Sequence, residues 1–386
     1  SVERALDWLA GAQQQDGGWG AGSHSRQDVR DAHAVPTDPA TTAVAGLALL
    51  RCGNTLASGD YQEQLRRATE YLLRTVEAAD DQGPRITELT GTQPQAKMGQ
   101  HVDTALTAQY FARLSTTLAE DAEPRARVVA ALDTCLRKIE GSQAEDGSWT
   151  AGGWAPVLQS AQMCTALELA GVAGRRVDAD KLAQARAYQR GQVTAQSAGG
   201  AGSLAPAGVD VFSVGSGAAA GVVLYASASN QRAVVADARQ AQELIDAAKR
   251  EGRLPKEAEV GQEALEKIGV ETPRAEVLAE AAAQNAAAKV RDFDEAVLSG
   301  FGNNGGEEFL SYQMKAEALV IDGGDEWARW NEKMQERLAK VQNPDGSWTG
   351  HHCITSPTFC TATAVSCLTA DRDAELLRDA TALAAK

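Results

Sequence analysis

Acidic side chains set in small, uncharged surroundings are the first residues of this sequence that could do chemistry. Asp38 stands in Asp38-Pro39-Ala40-Thr41-Thr42-Ala43, and Asp103 in Gln100-His101-Val102-Asp103-Thr104-Ala105. A carboxyl group kept from water holds its proton and can deliver it as a general acid. At the start of a helix the same group has a plainer role, accepting backbone N–H groups and answering the macrodipole. Both readings stand for Asp38 and Asp103. Glu307-Glu308 open a similar run, which makes Glu308 a third candidate acid. Asp292-Phe293-Asp294-Glu295 offers more carboxylates, but at the end of a charged helix. Asp80-Asp81-Gln82-Gly83-Pro84 lacks the third carboxylate one turn on that a Mg²⁺–diphosphate site would use. His351-His352-Cys353 with Cys360 holds metal-donor atoms in a spacing that is not a recognised zinc pattern. The sequence therefore predicts no metal site and no cofactor, with these imidazoles exposed on a loop. Cys353 and Cys360 could pair. Cys52, Cys135, Cys164 and Cys367 read as buried thiols among Ala, Leu and Val.

The elements that carry these groups are helices. Apolar residues at helical spacing mark amphipathic stretches near the N-terminus and over 62–79, 124–140, 178–193, 231–250, 272–292, 326–342 and 372–385. No run of alternating Val, Ile, Thr and aromatic residues suggests a sheet. A second kind of helix is small-residue rich and nearly free of charge: Thr41–Arg51, Asp103–Leu114, Pro156–Ala170, Gly215–Ala226, Glu307–Ile321 and Pro357–Leu368. A helix that is apolar nearly all round must be buried on several sides. Six such helices alternating with amphipathic ones predict an all-α fold of two concentric layers, an α6/α6 toroid. The whole chain, 1–386, is read as one toroid. Residues 227–300 are read as a helical insertion or an elongated outer layer, with a partner-binding appendage as the alternative.

The turns repeat as well. Gln13, Gly17 and Trp19, then Gln143, Gly147 and Trp149, then Gln342, Gly346 and Trp348 share the pattern Gln-x-x-Asp-Gly-x-Trp. Asp-Gly supplies a positive-φ turn past a helix end, and the Trp can cover the layer below while its N–H ties down a carbonyl. Three copies after three amphipathic helices mark an internal repeat.

This pattern resembles the repeat of the terpenoid cyclase and protein prenyltransferase β-subunit superfamily, which includes squalene–hopene cyclase and has the α6/α6 toroid. The stretch from Gly323-Gly324-Asp325-Glu326-Trp327 through Trp330-Asn331 to Gln342 and Trp348 is similar to bacterial prenyltransferase/squalene-oxidase-repeat proteins. The resemblance covers about 1–190 and 300–370. It implies a site at which class II cyclases protonate an alkene or epoxide, using the middle Asp of Asp-x-Asp-Asp-Thr-Ala or Asp-x-Asp-Thr-Thr-Ala. Carried onto this chain, that position is Ala40 in the first motif and Val102 in the second. The Asp, Cys and His that bind zinc in protein prenyltransferases lack a Cys after Glu307-Glu308, and Cys360 stands where the His would be. The Gly-Cys-Gly-Glu-Gln of thioester-forming relatives is absent.

In such a toroid the N-terminal ends of the inner helices face a central funnel. That expectation gathers Asp38, Asp103 and Glu308 with a ligand cavity of His101, Trp154, Glu307, Tyr312 and Phe359. Aromatic and acidic lining suits a cationic or elongated apolar ligand; the alternative is inner helices packed too closely for a pocket. The expected function is a ligand- or protein-binding toroid without the family's acid, for an apolar or isoprenoid-like molecule or for a protein partner held through the insertion. The alternative is an isoprenoid enzyme with a divergent acid, or with an Asp-to-Ala change at position 40.

Composition narrows the partners. Among 386 residues, 52 acidic side chains outweigh 37 basic ones, for a net charge of −15. That balance argues against nucleic acid and against an anionic membrane surface. No apolar stretch approaches the roughly 18 to 20 residues that span a bilayer. The chain is expected to be soluble, with no signal peptide at its start and no compartment legible.

Overall fold

The computed structural model describes residues 1–150, 152–195, 212–214, 223–300 and 305–383. Its helices are Val2–Gly11 (α1), Pro39–Arg51 (α2), Gln62–Glu77 (α3), Gln93–Met98 (α4), Val102–Ser115 (α5), Glu123–Gly141 (α6), Pro156–Val172 (α7) and Ala179–Gly191 (α8). There follow Val223–Arg250 (α9), Gln262–Lys267 (α10), Thr272–Arg291 (α11), Glu295–Leu298 (α12), Gly306–Asp322 (α13), Glu326–Val341 (α14), Pro357–Leu368 (α15) and Ala374–Leu383 (α16). Helix starts follow local chemistry. Pro39, Pro156, Pro273 and Pro357 stand in first turns, where a missing N–H breaks no bond. Asp38 and Ser356 cap α2 and α15 by accepting the backbone N–H groups of Thr41 and Phe359.

The fold is the all-α toroid. Helices α2, α5, α7, α9, α13 and α15 each pack on the next, and α15 packs back on α2. Outside them α1, α3, α6, α8, α11 and α14 lie against α15, α2, α5, α7, α9 and α13. Every residue of α7 from Pro156 to Ala170 is buried. Outer α3 buries only the stripe Leu65, Ala68, Thr69, Leu72, Leu73 and Val76. Fully burying each large apolar side chain of that stripe stabilises by about 1.5–3 kcal/mol. The inner helices approach closely: a Cβ on Gly46 of α2 would stand 2.5 Å from the Tyr110 ring of α5.

Three expectations are corrected. Residues 215–222 of the expected fourth inner helix lie outside the described residues, and the stretch 231–250 is not a separate outer helix. It continues α9, because no Gly or Pro interrupts 223–250 and Val234, Val235, Ala238, Ala241, Ile245 and Ala248 extend one buried stripe. The near half of α9 joins the main core; its far half forms a second small core with Leu254, Leu265, Ala275 and Leu278. The 372–385 stretch is not part of the outer layer either. Its helix, α16, packs across α7 and α13. Lastly, a three-residue antiparallel pair, Val193–Ala195 (β1) with Phe212–Val214 (β2), was not signalled by any alternation. All six cysteines are free thiols, with Cys52 and Cys353 only half-buried.

The repeat turns share one hydrogen-bond scheme. Trp19, Trp149 and Trp348 are buried, and their indole N–H groups donate to the carbonyls of Leu9, Ile139 and Leu338 at 2.8–2.9 Å. Their backbone N–H groups donate to hydroxyls of the inner layer, on Thr42, Ser160 and Thr361. The amides of Gln13, Gln143 and Gln342 donate to the carbonyls of Gln64, Lys181 and Ser1, each at the start of the next outer helix. Gly17, Gly147 and Gly346 have φ of 93°, 84° and 97°. A Cβ there would also meet the backbone oxygens of Arg67, Gln184 and Arg4 at 2.4, 2.3 and 2.8 Å, so glycine is required twice over. The third turn joins α14 to α1 and closes the outer layer.

At the C-terminal ends of the inner helices the axis is filled. Arg51 meets Glu317 at 2.6 Å and Asp373 at 2.8 Å, and Arg113 meets Asp373. Glu168 holds Arg186 at 2.7 Å and Arg232 at 3.0 Å. The cavity left between Arg51, Arg113, Glu317, Asp373 and Leu377 is only about 30 Å³. Asp373 and Leu377, from the turn before α16 and α16 itself, close this end.

Candidate functional site

The other end of the inner ring carries two pairs of buried carboxyl groups. The first pair sits where α2 meets α5. Asp38 accepts the N–H of Ala21 at 2.7 Å, the N–H of Thr41 at 2.7 Å and the Thr41 hydroxyl at 3.0 Å. Asp103 accepts the N–H of Ala40 at 3.1 Å and the side-chain amide of Gln95 at 2.7 Å. Burial pushes Asp38 up to about 7, helped by the charge of Asp103. Burial likewise pushes Asp103 up to about 6. Both groups therefore exchange protons near neutrality, yet both aim at backbone N–H groups of the α2 start. Between them, Ala40 places a fully buried methyl at the position carried over from the cyclase motif. Val102, its counterpart at α5, is buried as well.

The second pair begins α13. Glu308 accepts the Gly305 N–H at 2.7 Å and the Tyr225 hydroxyl at 2.9 Å. Glu307 stands 3.1 Å from the Lys97 ammonium and 3.2 Å from Nδ1 of His352. Burial works against its charge, but the His352 hydrogen bond and Lys97 hold Glu307 below the usual range. Burial and the charge of Glu307 push Glu308 up. A hydrogen bond with Cys353, then one with Glu307, lifts His352 to about 10. Cys353 adjoins it with φ of 52°, the only positive φ outside glycine among the described residues. Its Sγ accepts from the Lys97 ammonium at 3.7 Å.

Donor atoms of Glu307, His352 and Cys353 all lie within 4.8 Å of one another. The Lys97 ammonium already stands against two of them, so this acidic corner carries its own resident cation. Sequence reasoning singled out Glu307, Glu308, His352 and Cys353 but missed Lys97 and Tyr225. Lys97 lies on the short helix α4, far along the chain from Glu307, and no local pattern announces the encounter.

The remaining predicted residues fall in different settings. Trp154 is 70% exposed; its backbone N–H and that of Ala155 both donate to the Lys97 carbonyl at 2.8 Å, which ties this backbone to the one that carries Lys97. His101 is half-buried, its backbone N–H donates to Gln159 at 2.8 Å, and burial, with Arg85, lowers its ring. Tyr312 is buried with its hydroxyl on the Leu298 carbonyl, edge-on to Phe309. Phe359 is buried against Gly306, where α15 meets α13. Asp292 is buried, ion-paired with Lys315, and accepts from Gln231 at 2.9 Å.

Residues 1–92 match the family model of the squalene-hopene cyclase C-terminal domain. This segment contains the first repeat turn, α2, Asp38 and Ala40. It supports the cyclase-like resemblance and its all-α toroid. No curated protein matches the chain. Among the described residues, no helix is long and apolar enough to cross a membrane.

Proposed function

We propose that this chain is a cyclase-like toroid that binds an apolar or isoprenoid-like ligand at the end of its inner ring that carries the paired carboxyl groups and does not cyclise it by protonation. One observation carries the reading: the acid position of the motif is the methyl of Ala40, and the flanking carboxyls are spent on the α2 helix start. Protonating an isolated alkene needs a shielded acid aimed at the carbon. A misplacement of about 1 Å can already cost roughly 10²-fold in rate. Exposed Trp154 beside Lys97 supplies apolar surface for a ligand.

A second reading, a cyclase with a divergent acid, is favoured by the raised pKa of Asp38, near 7. One experiment separates them. Squalene, oxidosqualene and geranylgeranyl diphosphate are incubated with the chain, with Ala40→Asp and with Asp38→Asn, and products are read by mass spectrometry. The proposal expects no product from the chain as it stands. Turnover by this chain, abolished in Asp38→Asn, overturns it. Turnover by Ala40→Asp alone identifies a cyclase scaffold that lacks only its acid. Native mass spectrometry with the same lipids checks binding directly.

A further inference from the structure

Cys353, His352 and Glu307 have the arrangement of a nucleophile, a proton carrier and a group that orients it. His352 places Nδ1 3.2 Å from Glu307 and Nε2 3.7 Å from Glu308, and the Cys353 Sγ lies within 4.8 Å of the Glu307 and His352 donor atoms. A thiol next to an imidazole that is itself held by a carboxylate is the arrangement that activates sulfur for attack on carbonyl carbon. Three further features fit such a site. Cys353 and His352 are half-buried, whereas Glu307 is fully buried, so the reacting atoms open outward and the orienting group is fixed. The Lys97 ammonium 3.7 Å from Sγ supplies positive charge beside the reacting atom. The left-handed backbone at Cys353, adopted without glycine, is the kind of local strain found at functional positions.

We propose that Cys353 is a nucleophile, oriented through His352 by Glu307, that is acylated by an activated ester or thioester. The reacting form is a thiolate–imidazolium pair, since the thiolate is the attacking species. Sγ bonds to the carbonyl carbon, and the bond from that carbon to the leaving oxygen or sulfur breaks. The leaving group takes the His352 proton and departs as an alcohol or thiol, leaving S-acyl Cys353 and a neutral imidazole. Tyr225, Glu308 and Lys97 are the other titratable groups facing this corner. Glu307 is a positioning residue: it holds the ring and does not touch the acyl group. The site is independent of whether the toroid cyclises anything.

The test uses the whole chain and p-nitrophenyl acetate. The expected result is release of about one equivalent of p-nitrophenol per chain, with the acetyl group mapped to Cys353. Half-buried Cys52 serves as the internal reference, since the other four thiols are buried. His352→Gln should slow acylation about 100-fold. Glu307→Gln should slow it about 10-fold and move the acidic limb of its pH profile to lower pH, because the carboxylate that raises His352 is gone, which loss of packing alone would not do. If Glu307→Gln does not fold, His352→Gln, at a half-exposed position, decides the matter together with Cys353→Ser. Absence of acetyl-Cys353, an undiminished burst in Cys353→Ser, or an equal rate in His352→Gln overturns the proposal.

Discussion

The two acidic corners of the inner ring are built from the same material and differ in what they face. At the α2–α5 corner, Asp38 and Asp103 accept three backbone N–H groups, one hydroxyl and one amide, with no cation bonded to either among the described residues. At the α13 corner, Glu307 and Glu308 face an ammonium, an imidazole and a phenol. Carboxyls turned on backbone hold a helix start in place. Carboxyls turned on ionisable side chains set protonation states, which is where chemistry can be built. Acidity and burial alone therefore do not separate a structural corner from a reactive one; the partners do.

The largest effect that can break this contrast is removal of the lysine. Lys97→Met leaves Glu307 buried beside a single, half-exposed imidazole, and breaking such a pair costs about 3 kcal/mol. Urea denaturation should show that loss, and Lys97→Met/Glu307→Gln should recover part of it. No loss would mean that the α13 charges are solvated. Asp38→Ala comes next, at about 2 kcal/mol, because it removes a cap and strands the buried N–H groups of Ala21 and Thr41. An unchanged unfolding midpoint would deny Asp38 its capping role.

The smallest effect sharpens the contrast by pH. Asp38 is raised from 3.8 to about 7 and Asp103 from 3.8 to about 6. Their contribution is complete below about pH 4 and is lost as pH rises through 7. His352 is raised from 6.5 to about 10, so its contribution persists to neutrality and is lost as pH rises through 10. Stability measured from pH 4 to pH 10 should fall in two windows. Asp38→Asn should flatten the acidic one and His352→Gln the alkaline one. A single window, or the same window flattened by both, would show that the corners are not distinct.

What was legible in the sequence was what is local. The Gln-x-x-Asp-Gly-x-Trp turns announce themselves because Gln13, Gly17 and Trp19 meet within one loop, and periodicity then repeats them. The inner helices were legible because close packing on several sides favours small and apolar residues along them. The fourth failed where its register changes: α9 begins as an inner helix and runs on as an amphipathic one, so composition suggested two elements. The closing belt could not be read at all. Arg51 meets Glu317 and Asp373 across 266 and 322 residues, and no spacing rule connects positions so far apart. Lys97 and Cys353 are 256 residues apart as well, so the thiol was visible and the cation beside it was not.

The third repeat turn has a consequence for the order of assembly. Gln342 and Ser1 are 341 residues apart, whereas Gln143 bonds Lys181 across 38. Entropy of closure rises with the logarithm of the intervening length, so short circuits form before long ones. Neighbouring outer and inner helices can dock as they come together, but the join between α14 and α1 needs nearly every other layer in place. That seam belongs to the late side of the folding barrier. Weakening Gln342 should therefore quicken unfolding and leave refolding nearly untouched, whereas weakening Gln143 should slow refolding as well.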